Sequence, residues 1–187
     1  MSGTALRLRL PCRELLPQYE AALAAGWSPD TERDASAEQL VRLRQDAAAF
    51  LSDLTRQDAA IDTVAGIVDR LPGRVYWLDD GDFCGLINLR YVPGSELLPD
   101  HVSGHIGYAV VPWKRRRGYA TRALALILPV ARDVGLARIE ITCDADNEAS
   151  RRVIVNNGGS LTGRRAETGG RVKLVFRIAL APPVAPP

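Results

Sequence analysis

The stretch from residue 105 to residue 134 constrains the fold most, because its pattern changes from that of a strand to that of a helix across one basic loop. Residues 105–111 are rich in β-branched and aromatic side chains and predict a strand. The loop that follows has four cations in a row, at 114–117, and ends at Gly118. Beyond it, residues 119–134 place apolar side chains at helical spacing. A strand that leads into a helix in this way is typical of mixed α/β and α+β domains.

The rest of the sequence supplies further strands and helices around this unit. A chain of 187 residues is within the usual size of one domain. We therefore predict a single α/β (α+β) domain over residues 1–180, followed by a disordered tail at 181–187, where four residues are proline. Residues 55–72 fit either one helical turn or a packed loop. Strands are predicted at 5–10, 74–78, 83–91, 137–143, 160–165 and 171–180, with a hairpin turn at 79–82. Helices are predicted at 14–25, 36–54 and 148–156, the last with Asn147 as its N-cap.

Charge and cysteine content exclude several classes of protein. The 24 basic residues nearly balance the 22 acidic ones, which argues against an extended nucleic-acid or membrane-surface binder. Only Lys114 and Lys173 among the basic residues are lysine, an arginine excess that a GC-rich genome also explains. The three cysteines lie far apart and lack metal-ligand spacing, so we expect no metal site and a reduced, cytoplasmic setting. The longest apolar run, residues 123–131, is too short to cross a bilayer.

The basic loop is the best candidate for a binding site. A helix N-terminus presents unpaired N–H groups and a partial positive charge, and both favour a bound phosphate. Gly118 lets a phosphate approach the backbone closely, and arginines at the rim add charge-assisted hydrogen bonds. The spacing is neither that of a P-loop nor that of a dinucleotide-binding fingerprint. Two alternatives stay open: a solvated basic surface, and a nucleic-acid site formed by Trp113 and residues 114–117.

Three groups of motifs stand out: Arg115-x-x-Gly118-x-Ala120, Gly-His-Ile-Gly-Tyr at 104–108, and Cys143-Asp144-x-Asp146-Asn147-x-x-Ser150 with Asn157-Gly158-Gly159. Together they resemble the GNAT acetyltransferase superfamily and, more narrowly, a bacterial subgroup of predicted acetyltransferases. The first resembles the family's pyrophosphate signature and lies between a predicted strand and a predicted helix. The resemblance covers about residues 74–180 and is weak before them.

The resemblance implies a mixed central sheet of about six or seven strands, flanked by helices and splayed between its fourth and fifth strands to hold acetyl-CoA. The amides of Val110 and Val111 would pair with the pantetheine arm, and Asn147 and Ser150 would lie near its sulfur end. The acceptor would be a primary amine of a small molecule or peptide. No nucleic-acid or membrane partner is expected, and a homodimer stays open. The residues implied at the pyrophosphate are Arg115, Arg116, Arg117, Gly118, Tyr119, Ala120 and Thr121.

The reaction implied is direct attack of a neutral amine on the acetyl thioester. His105 is a candidate base because its ordinary pKa is near neutrality, although a structural histidine at the sheet edge fits the sequence equally well. The backbone N–H near Tyr108 is a candidate donor to the oxyanion. Many relatives protonate the departing thiolate with a tyrosine, but the matching position here is Ile154, which cannot donate. That departure leaves a non-catalytic acyl-CoA sensor as an alternative to an N-acetyltransferase.

Overall fold

The structure, a computed structural model that describes residues 5–55, 60–63, 66–69 and 71–180, contains both strands and helices. The strands in these residues are β1 (Arg7–Arg9), β2 (Ala60–Thr63), β3 (Gly66–Asp69), β4 (Gly73–Asp79), β5 (Phe83–Arg90), β6 (Ile106–Val110), β7 (Arg138–Asp144), β8 (Ser160–Ala166) and β9 (Val172–Ala179). The helices are α1 (Leu16–Ala24), α2 (Ser36–Gln45), α3 (Ala47–Thr55), α4 (Tyr119–Asp133) and α5 (Glu148–Val155).

The core strands form two antiparallel sheets. The first has the order β1-β4-β5-β6 and the second the order β7-β9-β8, while β2 and β3 pair as a separate hairpin. No ladder joins β6 to β7 in the described part of the chain, so the core is split between its fourth and fifth strands. These seven core strands and their helices confirm the predicted mixed α/β fold.

Each face of the first sheet has its own apolar layer, because successive strand residues point to opposite sides. Leu78 of β4 packs in the layer that contains Leu124 of α4. Its neighbour Trp77 packs in the other layer, where Tyr19 of α1 stacks on it with ring centroids 4.7 Å apart. Phe50 of α3 belongs to this second layer, with its ring centroid 5.9 Å from that of Tyr19. The predicted helical segments before residue 55 therefore cover one face of the first sheet.

Asp46 divides the predicted helix over residues 36–54 into two helices. Its backbone is extended, with φ −154° and ψ 97°. Its Oδ1 accepts hydrogen bonds from the N–H groups of Ala48 and Ala49, each at 2.9 Å. These are amides that a helix leaves unpaired, so Asp46 caps α3. The prediction of one helix is wrong because the apolar spacing continues across the cap and conceals it.

Residues 55–72 contain the β2–β3 hairpin, where the sequence indicated a helical turn or a loop. Residues 60–63 pair antiparallel with residues 66–69. Both interpretations are wrong because an apolar segment this short has no periodicity that separates one helical turn from a strand.

The predicted tail at residues 181–187 lies outside the described residues, and a single domain over residues 1–180 stays a prediction. No helix within the described ranges combines the length and the apolar character that crossing a membrane requires. Helix α4, with 15 residues the longest of them, includes Arg122 and Arg132.

Asp46→Ala is expected to lower the free energy of unfolding by about 1 kcal/mol, because the two capped amides lose their acceptor. Asp46→Asn keeps a side-chain acceptor, so it is expected to change the free energy of unfolding by less than about 0.5 kcal/mol. Urea denaturation of both variants checks these values. Equal destabilisation by the two substitutions would contradict the assignment of Asp46 as the cap.

Candidate functional site

The two sheets meet where His105, just before β6, lies against Glu140 of β7. The His105 N–H donates to the Glu140 carbonyl at 2.8 Å, and the Glu140 N–H donates to His105 Nδ1 at 3.0 Å. Gly104 permits this approach, since a Cβ there would lie 3.1 Å from the Glu140 carbonyl oxygen. Beyond this contact the described part of β6 pairs only with β5. We call the gap between this unpaired edge of β6 and the elements β7 and α5 the cleft.

The open edge of β6 presents backbone groups of Tyr108 and Val110. In an antiparallel pair, alternate residues direct their N–H and C=O groups to the partner strand. The Val111 N–H donates to the Cys84 carbonyl at 3.0 Å, so the groups of Tyr108 and Val110 face the other way, towards the cleft. The Val110 carbonyl accepts from Arg115 Nε at 3.1 Å. The Val111 N–H already donates to β5, so it is not available to the pantetheine arm. Of the two valine amides expected to bind pantetheine, only that of Val110 faces the cleft.

The basic loop carries the chain from β6 to the N-terminus of α4. Gly118 is the residue before the first helical turn, with φ 74° and ψ 9°, and Arg116 also has a positive φ of 62°. A left-handed residue followed by a helical one turns successive N–H groups to one side, which is the geometry of an anion-binding nest. A Cβ on Gly118 would meet nothing within 4 Å, so the space in front of it is open. The amides that the helix leaves unpaired here are those of Tyr119, Ala120 and Thr121.

The four cations of the loop do not form one uniform basic surface. The side chains of Arg115, Arg116 and Arg117 are exposed. Lys114 is only 13% exposed, and its Nζ lies 2.7 Å from Oδ1 of Asp80. The predicted nucleic-acid alternative therefore loses one of its four charges to an internal ion pair, and three exposed arginines remain beside the nest.

Asp80 is a site residue that the sequence assigned only to a turn. It lies between β4 and β5, and it accepts hydrogen bonds from Lys114 Nζ and from the Tyr119 hydroxyl. Burial alone raises the pKa of Asp80, but these two hydrogen bonds lower it, and the net shift is downwards. Its carboxylate thus holds both ends of the segment that contains the nest. The acidic run at 79–82 is also typical of an ordinary turn, which is why the sequence did not reveal this role.

Helix α5 places Asn147 and Ser150 at the cleft. Asn147 caps the helix as predicted, since its Oδ1 accepts from the Ser150 N–H at 2.9 Å. The Ser150 hydroxyl lies 2.6 Å from the hydroxyl of Tyr108 on β6. Burial raises the pKa of Tyr108 to about 12, so its phenol stays protonated near neutral pH. Two hydroxyl groups from opposite sides of the cleft therefore form one hydrogen-bonded pair, which the sequence did not predict.

The Asn-Gly-Gly motif fixes α5 against α4. Asn157 Nδ2 donates to the Thr121 carbonyl at 3.1 Å and to the Val153 carbonyl at 2.8 Å. A Cβ on Gly159 would lie 2.4 Å from Cγ2 of Ile154, so only glycine allows this approach. Ile154 itself is fully buried and has no proton to donate. The motif thus holds the first turn of α4 beside the helix that carries Ser150.

His105 lies in an environment that suits a structural residue. It is 1% exposed, and its Nδ1 lone pair already accepts from the Glu140 N–H. Nδ1 also lies 3.3 Å from the Glu140 carbonyl oxygen, and in the tautomer that accepts from the Glu140 N–H the proton of the neutral ring is on Nε2. Burial, the largest factor, lowers the pKa of His105, so the ring is neutral at pH 7. The imidazole thus joins the two sheets through Nδ1, and the role of His105 as a base stays a prediction.

Asp80→Asn is expected to lower the free energy of unfolding by about 1–3 kcal/mol at pH 7, because the ion pair with Lys114 is lost. The folded pKa of Asp80 lies below the ordinary 3.8. Its stabilisation is therefore complete above that pKa and is lost as the pH falls towards the folded pKa. The difference between the two proteins should stay constant from about pH 5 to 8 and shrink below about pH 4.

Denaturant unfolding at several pH values measures this difference. Asp82→Asn is the matched control in the same turn, since Asp82 is 68% exposed and lies 3.7 Å from Lys114. An ion pair with such an exposed carboxylate adds little to the free energy of unfolding. An equal loss in both variants would contradict the assigned role of Asp80.

Comparison with known proteins identifies the family. Residues 6–160 match the family model described as an acetyltransferase (GNAT) domain. No curated protein matches the chain.

Three of the solved structures that share the fold illustrate the likeness. RimJ from Mycobacterium smegmatis, in complex with CoA-disulfide, is 21% identical and has a TM-score of 0.65. The alignment covers 94% of this chain and 82% of the RimJ chain. RimL, a ribosomal L7/L12 alpha-N-protein acetyltransferase in complex with coenzyme A, is 15% identical, with 96% and 97% covered and a TM-score of 0.60. The microcin C7 self immunity acetyltransferase MccE, in complex with acetyl-CoA and AMP, is 12% identical, with 96% and 93% covered and a TM-score of 0.57.

Likenesses at this level of identity show the fold, whereas the family match extends over most of the chain. The split sheet, the nest before α4 and the family match agree with the motifs in the sequence. The chain therefore belongs to the GNAT acetyltransferase family and is an enzyme of the N-acetyltransferase class.

Proposed function

We propose that this protein transfers the acetyl group of acetyl-CoA to a primary amine of a small molecule or peptide by direct attack of that amine. The observation that carries the proposal is a continuous binding path. The Val110 N–H faces the cleft, and the chain runs from it through the exposed arginines, of which Arg115 holds the Val110 carbonyl, to the nest at Gly118. A strand edge suits an amide-containing chain, and a nest suits a phosphate, so the path suits both parts of the same molecule.

The path assigns a role to each group of candidate residues. The amides of Tyr119, Ala120 and Thr121 bind the pyrophosphate together with the exposed arginines at 115–117. Val110 pairs with the pantetheine arm, which takes the place of a neighbouring strand. CoA is bound in the RimL structure and acetyl-CoA in the MccE structure, and both support the same cosubstrate here.

The transfer step needs an oxyanion donor and a proton for the leaving sulfur. The amine nitrogen forms a bond to the thioester carbonyl carbon while the carbonyl oxygen gains negative charge. The Tyr108 N–H faces the cleft and donates to that oxygen. The carbon–sulfur bond then breaks, the thiolate takes a proton, and the amide nitrogen loses its extra proton to water.

The hydroxyl pair of Tyr108 and Ser150 is the proposed proton source for the thiolate. It takes the place of the tyrosine that is replaced by Ile154. Burial keeps the Tyr108 phenol protonated, and the 2.6 Å contact lets one hydroxyl re-supply the other. A proton donor within one hydrogen bond of a reacting atom is the usual arrangement for general acid catalysis.

Gly118→Trp is expected to abolish acetyl-CoA binding, because the indole fills the open space in front of the nest. Gly94→Trp is the matched control: Gly94 has the same φ of 74° and also faces open space, so the backbone strain is the same. Acetyl-CoA at about 100 times its Kd should stabilise the unaltered protein and the Gly94 variant by about 2.7 kcal/mol in thermal melting. A normal shift in the Gly118 variant would overturn the placement of the pyrophosphate.

Ser150→Ala and Tyr108→Phe are each expected to slow thiol release by about 100-fold or more with a reactive amine, while the acetyl-CoA melting shift is retained. The double variant should be little slower than either single variant, because both substitutions remove the same proton path. Steady-state thiol release over an amine panel measures the rates. Unchanged kcat in both single variants would remove the hydroxyl pair from the mechanism.

The alternatives predict different outcomes in the same assays. A melting shift with acetyl-CoA but no thiol release on any amine favours an acyl-CoA sensor. No melting shift overturns every reading that involves CoA. Strong DNA binding that falls steeply with salt would support the nucleic-acid alternative.

A further inference from the structure

A cluster of hydrogen-bond donors lies on the face of the first sheet that α1–α3 cover. Asn88 of β5 lies directly opposite Gly107 of β6. Two residues further along β5, the Arg90 N–H donates to the His105 carbonyl at 2.9 Å, so Asn88 and Arg90 point to the same face of the sheet. A Cβ on Gly107 would lie 3.2 Å from Asn88 Oδ1 and 3.6 Å from Arg90 Nη2. The two side chains therefore lie over Gly107. All three of these residues are partly open to solvent.

Arg90 carries a positive charge that no carboxylate of the described residues contacts within salt-bridge distance. Its Nε donates to the Gly104 carbonyl at 2.5 Å. Burial, the largest factor, lowers the pKa of Arg90, while Asp30 and Glu32 raise it from a greater distance. Glu32 is itself held by Lys173. A desolvated guanidinium with only a neutral acceptor is unfavourable, and an anion at its terminal N–H groups would stabilise it.

Two neighbours of Arg90, Asn88 and His105, add donors to the cluster. Asn88 Oδ1 accepts from the Gly107 N–H at 3.1 Å, which leaves the Asn88 NH2 group as the outward-facing end. The Nε2 of His105 is buried and has no hydrogen-bond partner within the described residues. In the tautomer whose Nδ1 accepts from the Glu140 N–H, Nε2 carries a proton and is a further donor. The cluster thus combines one full positive charge with neutral donors.

We propose that this donor cluster binds a carboxylate of the acceptor, so that the acceptor is an amine with a carboxylate close to it, as in a free α-amino acid. This inference rests on the proposed function. Gly107 immediately precedes Tyr108, whose N–H is assigned to the oxyanion, and one strand residue spans about 3.3 Å. A carboxylate over Gly107 therefore lies a few ångströms from the transferred acetyl group. The planar guanidinium of Arg90 is suited to a two-point contact with it.

The test compares free L-α-amino acids with their α-carboxamides as acceptors in thiol release at saturating acetyl-CoA. The unaltered protein should acetylate at least one free amino acid with a kcat/KM about 10- to 100-fold above that of its carboxamide. Arg90→Gln should remove this preference by lowering kcat/KM for the free acid by about the same factor, with a change of less than about threefold for the carboxamide. Arg164→Gln, an exposed arginine on β8, is the matched control and should leave both values unchanged.

A second variant keeps the test decisive if Arg90→Gln does not fold. Asn88→Asp retains the acceptor for the Gly107 N–H but places a negative charge in the cluster, so it should also reduce kcat/KM for the free acid selectively. Equal use of acids and carboxamides, an equal loss on both, or no turnover of any free amino acid overturns the inference. The acetyl-CoA melting shift, and turnover of amines without a carboxylate, test the proposed function separately.

Discussion

The candidate site depends on the point at which β6 stops pairing with β7. The hydrogen bonds between His105 and Glu140 hold the two sheets together at one end, and the ladder does not continue along β6. Backbone N–H and C=O groups at such an edge need partners, because leaving them unpaired when buried is unfavourable. An extended ligand that contains amides supplies those partners in the way that a further strand would. The geometry of the split therefore defines where the cosubstrate lies in our proposal and which residues of β6 can serve it.

The two sides of the cleft are positioned by polar contacts between distant parts of the chain. Asp80, in the turn between β4 and β5, holds Lys114 and Tyr119 and so orients the loop before α4. Asn157 holds the end of α5 to the first turn of α4. Ser150 then meets Tyr108 across the cleft. The backbone of the nest includes Arg116, a non-glycine residue with an unfavourable positive φ. These contacts compensate for that strain.

Location, and not number, distinguishes the cations of this protein. A net charge of +2 excludes an extended polyanion surface, and most arginines face solvent. The arginines at 115–117 are exposed beside unpaired helix amides, where a phosphate can reach both. Arg90 is partly buried with no carboxylate in contact within the described residues, which suits a small anion enclosed by the protein. One residue type therefore serves two different anions in the proposed reaction.

The sequence by itself determined the order of the core strands and helices, the glycine before α4 and the Asn147 cap, because each depends on residues within a few positions of one another. It did not reveal the cap inside the apolar repeat at Asp46 or the hairpin at 60–69, since short segments carry too little periodicity. Only the tertiary structure decided which polar groups act together. Tyr119 and Asp80 are 39 residues apart in the chain, Tyr108 and Ser150 are 42 apart, and His105 and Glu140 are 35 apart. Contacts of this range arise when sheets and helices pack, so local residue patterns do not encode which polar side chains come into contact.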